Sequence, residues 1–165
     1  FKYNFRKQEE IRKNKCFSLI EVCIGIALVG IMVGIVGPKI RKYIASAKDT
    51  KAIATMGALR TASELYYSEN DCPVYVNEED STDITGALAK LEDYLDRKTF
   101  NNIKTGKIEV GGYSDGAGNI TYGGEIPLSF NNPDAQGAQG DGVYIWFFPG
   151  ENQQFDIKGK KWSEY

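Results

Sequence analysis

The chain has 165 residues, with 20 Lys and Arg against 22 Asp and Glu, a formal charge of −2. It contains no histidine, which removes the commonest general base and the commonest metal ligand. Its three cysteines, Cys16, Cys23 and Cys72, are too scattered to read as a disulfide framework.

Residues 1–16 carry Lys2, Arg6, Lys7, Arg12, Lys13 and Lys15 against two acidic side chains. They lack the apolar core and small-residue cleavage site of an ordinary secretory signal. Setting them aside leaves the rest of the chain acidic, with a net charge of −6. That balance argues against nucleic acid as a partner, because phosphate contacts need basic patches.

Phe17 to Val36 is a stretch of 20 residues dominated by Ile, Val and Leu, about the length a helix needs to cross the hydrocarbon of a bilayer. One charge, Glu21, sits near its start. A lone carboxylate in hydrocarbon is costly and implies a task and a partner. The upstream basic residues place that end in the cytoplasm and the bulk of the chain beyond the membrane. Gly25, Gly30, Gly34 and Gly37 interrupt the aliphatic surface, and the Gly30-x-x-x-Gly34 spacing lets helices approach closely in lipid. Pro38 closes the run and loosens the helix there, because it has no N–H to donate.

The segment Phe17-Ser18-Leu19-Ile20-Glu21-Val22, behind a basic leader and ahead of Gly30 and Pro38, resembles the N-terminal motif of the type IV pilin-like family. That family comprises type IV pilins and the pseudopilins of type II secretion. The resemblance implies that a prepilin peptidase cuts between Cys16 and Phe17 and methylates Phe17. The family usually has Gly where this chain has Cys16. It further implies that Glu21 neutralises the Phe17 amine of a neighbouring copy. Implied partners are copies of itself, the peptidase and methyltransferase, and an inner-membrane assembly platform. The precursor would sit in a bacterial inner membrane, and the product in a periplasmic or cell-surface filament.

Past Pro38 the helix resumes to about Tyr67. Ile40, Ile44, Ala47, Ala54, Ala58, Leu65 and Tyr66 recur near helical spacing, with Lys39, Arg41, Lys42, Lys48, Lys51, Arg60 and Glu64 on other faces. Lys39, Arg41 and Lys42 oppose the positive-inside rule, but the leader cluster is larger. Asn70-Asp71-Cys72-Pro73 ends the helix. Ala58 to Ala62, Tyr66, Tyr67 and Pro73 resemble the major-pseudopilin branch, in which this helix packs on the sheet.

Residues 74–82 read as an acidic loop. Ser81 or Thr82 can cap a second helix that carries Ile84, Leu88, Leu91 and Leu95 on one face and runs to about Arg97, with Asp83 suiting its dipole. From Lys107 the period becomes that of strands. Ile108 to Val110 alternates, Asp115 to Asn119 turns, and Ile120 to Tyr122 returns. Glu125 to Phe130 is another short strand, Gly142 to Phe148 is the strongest, and Gln154 to Ile157 pairs back on it. The tail, Lys158 to Tyr165, loosely resembles pseudopilin C-termini, where a terminal aromatic packs near the sheet.

Three regions follow: a leader over 1–16, an assembly helix over 17–37, and over 38–165 an amphipathic helix continuing into an exported head. The predicted fold is α+β, a long N-terminal helix packed on a small antiparallel sheet. Candidate site residues are Cys16 and Phe17 for processing and methylation, and Glu21, Gly30, Gly34 and Pro38 for assembly. Major pseudopilins often hold calcium in a C-terminal loop, so Asp134 and Asp141 are candidate ligands in a loop that otherwise reads as solvated. No nucleophile–base pair, zinc spacing or phosphate loop marks an enzyme. The resemblance favours a major-pseudopilin-like subunit of a type II secretion system. A surface type IV pilus subunit is the alternative, and a non-polymerising, membrane-anchored binding module is a third reading.

Overall fold

A computed structural model describes residues 17–76, 84–135 and 140–165. The chain divides into two units, Phe1–Ile40 and Arg41–Tyr165. The helix α1, Leu19–Asn70, runs through the boundary between them, and its two stretches are taken separately.

In the first stretch the side chains are aliphatic all round. Leu19, Ile26, Met32 and Val33 are each more than 60% exposed, and no part of the described chain covers them. Helix formation here follows from the continuous apolar run and from the start at Ser18. The Ser18 carbonyl accepts the N–H groups of Glu21 (2.9 Å) and Val22 (3.3 Å). Pro38 lies inside the helix and leaves the Gly34 carbonyl without its usual donor.

In the second stretch the buried face consists of Ala45, Asp49, Ala52, Met56, Leu59, Ala62 and Ser63. This corrects the predicted face. Ile40, Ile44 and Leu65 are about half exposed, Ala47, Ala54 and Ala58 are also exposed, and of that set only Tyr66 is partly buried. The apolar pattern misled because two members of the true face are polar. Asp49 accepts from the Gly111 N–H at 2.8 Å. Ser63 donates to the Val143 carbonyl at 2.5 Å. The alanines matter for their small size: a Cβ added to Gly111 would stand 1.8 Å from the Ala45 carbonyl oxygen, so the turn rests directly on the helix backbone.

The predicted second helix is broken into α2 over Thr85–Ala89 and a 3-10 turn over Glu92–Tyr94, and a further helix not expected from the sequence, α3 over Arg97–Ile103, begins where it was to end. Ile84, Leu88 and Leu91 are buried as expected. After Leu91 the chain turns, and Asp96 restarts it by accepting from the Thr99 N–H at 3.0 Å as an N-cap. Ser81, Thr82 and Asp83 lie outside the described residues.

The strands are β1 (Lys107–Glu109), β2 (Gly112–Ser114), β3 (Ile120–Tyr122), β4 (Glu125–Ser129) and β5 (Trp146–Phe147). One sheet has the order β1-β4-β5, and β2 pairs with β3; all pairings are antiparallel. Ile108 stands opposite Ile126, and Leu128 opposite Phe147, which points four buried side chains at one core. The turn at Asp115 is as predicted, but its outgoing strand is Gly112–Ser114 rather than residues 108–110. Asp115 holds the turn by accepting from the N–H groups of Ala117 (2.8 Å) and Asn119 (3.3 Å).

The expected strand over 142–148 shrinks to two residues. Side chains have taken its backbone. Asp141 accepts from the Val143 and Tyr144 N–H groups, Ser63 binds the Val143 carbonyl, and Arg60 Nε donates to the Ile145 carbonyl at 2.9 Å. Phe155 bridges to Ser114 and Lys161 instead of pairing with β5. The tail behaves as the resemblance implied: Trp162 is fully buried with its ring 5.0 Å from Phe147, and Tyr165 lies 5.8 Å from Trp162.

Candidate assembly site

Phe17 is 81% exposed and precedes the first turn of α1. Cys16 lies outside the described residues. Glu21 is exposed in that first turn, where the helix dipole favours a carboxylate. Its Oε2 accepts from the Ser18 N–H at 3.3 Å, a long bond. This is the backward half of a capping box, in which the acid at the third helical position satisfies a donor that the helix leaves orphaned. The sequence reading missed it, although Ser18-x-x-Glu21 is its standard signature. Glu21 therefore has an internal partner of modest strength that a cation can displace.

Gly30 and Gly34 stand in open space. A Cβ at either position, or at Gly25 or Gly37, would meet no neighbouring heavy atom within 4 Å. Each glycine costs a helix roughly 1 kcal/mol against alanine. Among the described residues nothing packs against these positions to offset that cost.

In the head, two buried acids anchor the sheet to α1 and to the tail. Asp49 is 4% exposed; its Oδ1 binds the Gly111 N–H, and its Oδ2 has no hydrogen-bond partner. Burial raises its pKa above the usual carboxylate value, the Gly111 hydrogen bond pulls the other way, and the charge of Asp156 adds to the rise. Asp156, 2% exposed, accepts from the Lys158 and Lys160 N–H groups and from the Tyr165 hydroxyl, each at 2.8 Å. Burial and that hydrogen bond push the Tyr165 phenol up to about 12. Arg60 reaches the Ile145 and Tyr165 carbonyls and lies 4.2 Å from the Tyr144 ring centroid. The roles of Asp49 and Arg60 do not show in hydropathy periodicity, because they depend on backbone groups far away in sequence, whereas Asp156 binds N–H groups only two and four residues on.

Asp134 and Asp141 fall in separate turns. Asp134 is exposed and its N–H donates to the Asn132 side chain at 2.9 Å, while Asp141 spends one oxygen on the Val143 and Tyr144 N–H groups. Residues 136–139 between them lie outside the described residues. Among the described residues no group of three or more acidic or cysteine side chains gathers as a metal cage. One oxygen of Asp141 is thus committed to two N–H donors, so a calcium ion there would be held by its other oxygen, by Asp134 and by backbone carbonyls. A groove of about 340 Å³ is lined by Lys48, Lys51, Thr55, Asn102, Glu109 and Glu125 among others. Its nearest charges neutralise each other, with Lys48 Nζ 2.6 Å from the Glu109 carboxylate.

The described chain thus combines a bare apolar helix, long and apolar enough to cross a membrane and punctuated by unpacked glycines, with an α+β head. Three relatives give that layout a family. The type IV major alpha-pilin of Moraxella bovis is 31% identical over 108 residues, which is 65% of this chain and 66% of that protein. The type IV major pilin protein PilA of Myxococcus xanthus (strain DK1622) is 37% identical over 59 residues, 36% of this chain and 27% of that protein. A fimbrial protein of Pseudomonas aeruginosa is 37% identical over 54 residues, 33% of this chain and 35% of that protein. The chain thus spans just under two thirds of one of these relatives and about a third or less of the other two. No family profile and no solved structure matches it. The chain belongs to the type IV pilin-like family.

Proposed function

We propose that the chain is the precursor of a major subunit of a type IV pilin-like filament. One observation carries this reading: the apolar surface of α1 from Leu19 to Val36 is uncovered. Burying a large aliphatic side chain is worth about 1.5–3 kcal/mol, so a surface of this size must be covered by hydrocarbon before assembly and by neighbouring helices after it. Residues 1–16 are then a leader that remains in the cytoplasm, and the head lies beyond the membrane. Cleavage after Cys16 would free the amine of Phe17. That ammonium is a stronger partner for Glu21 than the 3.3 Å bond to Ser18 N–H. In a water-free bundle an incoming copy stops where the two charges meet, because either alone is penalised. Gly30 and Gly34 let the helices approach, and Pro38 lets the chain bend.

We favour the surface-pilus form, because the relatives named above are major pilins and a fimbrial protein. The pseudopilus form is the second reading. It is favoured by the head's single cysteine, Cys72, which excludes a disulfide loop within the head. The test is Glu21→Ala in cells. Incorporation into sheared filaments is expected to fail while the head keeps its melting temperature within about 0.5 kcal/mol of stability. Normal assembly of this variant refutes the mechanism, and an anchored binding module would be indifferent to the change.

A further inference from the structure

The cations just past the apolar run are unexplained by assembly through Glu21. Arg41 and Lys42 follow Pro38 by three and four residues, and Lys39 precedes them in sequence. Both are exposed, and neither makes an ion pair or hydrogen bond among the described residues. The next cations along α1 differ. Lys48 is bonded to Glu109 at 2.6 Å, and Lys51 also lowers the pKa of that carboxylate, after the larger effect of Lys48. Tyr43, beside the free pair, is 74% exposed.

We propose that Arg41 and Lys42, with Tyr43, form an anchor for the anionic phospholipid headgroups of the leaflet on the head side. This rests on the membrane reading above. Arg41 to Tyr43 lie one to two helical turns past Val36, the last aliphatic residue of the run. That is the reach of the headgroup layer, where Lys and Arg carry their charge to the surface and Tyr sits in the interfacial belt. Cations on the translocated side work against the orientation set by the leader, a cost that a headgroup contact offsets. The remainder of the head, being acidic, is repelled by the same surface, which leaves this pair as its cationic contact next to the apolar run. An acidic patch on a second copy is the competing occupant. Lipid is favoured because the pair adjoins the apolar run and carries an interfacial tyrosine.

The experiment uses the full chain in detergent micelles with equal amounts of phosphatidylglycerol and phosphatidylcholine, and reads the retained lipids by native mass spectrometry. Wild type is expected to retain the anionic lipid preferentially. The double variant Arg41→Gln with Lys42→Gln should lose that preference by fivefold or more, since a cation near an anionic surface is worth roughly fivefold in binding. A control, Lys158→Gln with Lys160→Gln and Lys161→Gln, should retain it. Near-ultraviolet circular dichroism shows that each head is folded. Equal retention of both lipids by wild type overturns the proposal, as does a double variant that keeps the preference. A double variant that instead loses self-association at unchanged lipid retention assigns the pair to a second copy and overturns it too. Alkaline extraction of the membrane fraction separates these results from failure of the membrane reading. An extracted wild-type chain overturns both, whereas a resistant chain without anionic preference overturns the anchor alone.

Discussion

Asp49 is the side chain whose replacement tests the head's architecture most directly. Truncation by Asp49→Ala leaves the Gly111 N–H, now bonded at 2.8 Å, without an acceptor in a buried site. An orphaned buried donor costs about 1–3 kcal/mol. Part is returned, because the variant also removes a buried carboxylate whose Oδ2 has no partner. A net loss of about 1–2 kcal/mol is expected, on the order of 3–10 °C in melting temperature for a domain of this size. Asp49→Asn separates the two effects, since it keeps an acceptor for Gly111 and deletes the charge. Burial raises the Asp49 pKa above its unfolded value of 3.8, so the folded head holds this proton more tightly. The stabilisation it brings is complete below the unfolded pKa and is lost as pH rises through the folded one. Wild type should therefore lose stability relative to Asp49→Asn as pH rises from about 4 towards neutrality. Thermal melts of the full chain in detergent micelles, followed by near-ultraviolet circular dichroism at several pH values, read both quantities. An Asp49→Ala head as stable as wild type, or a wild-type-minus-Asn difference that does not change with pH, refutes the assigned role.

Three further outcomes follow from neighbouring geometry. Gly111→Ala places a Cβ 1.8 Å from the Ala45 carbonyl oxygen, so the turn must lift off α1; a loss of about 2 kcal/mol or more by the same melts is expected, and a neutral substitution contradicts the close approach. Tyr165, held at about 12, should ionise last among the tyrosines in an absorbance titration at 295 nm. Its raised pKa contributes stability that is present below about pH 10 and lost between about 10 and 12, and Tyr165→Phe should abolish that loss. Chelation should leave the melting temperature unchanged, because one Asp141 oxygen already binds two N–H groups; a rise on adding calcium would support the metal role suggested for Asp134 and Asp141.

The first half of α1 was legible because its physics is one-dimensional. Length, an unbroken apolar run, one carboxylate and one proline are properties of consecutive residues, and a bilayer reads them in that form. The turn at Asp115 was legible for a similar reason, since Asp, Gly and Asn close it on their own neighbours. The second half of α1 was not. Its apolar residues suggested one face, and the fold buried another that includes Asp49 and Ser63, because those two find backbone partners on segments 62 and 80 residues away. The same cause shortened β5. Hydropathy gave Gly142 to Phe148 every mark of a strand, yet Asp141, Ser63 and Arg60 hold its N–H and C=O groups before a neighbouring strand can.

By itself, then, the sequence determined that this protein has a membrane-length helix with a single acid near its start, and that an α+β head follows. The tertiary structure alone decided which helix face the head covers, which strands pair, and which acids are buried. Solvent preference acts on each residue where it stands, so composition and spacing suffice to read it. Backbone hydrogen-bond satisfaction is a demand on pairs of residues distant in sequence, and only the folded chain shows how those pairs are matched.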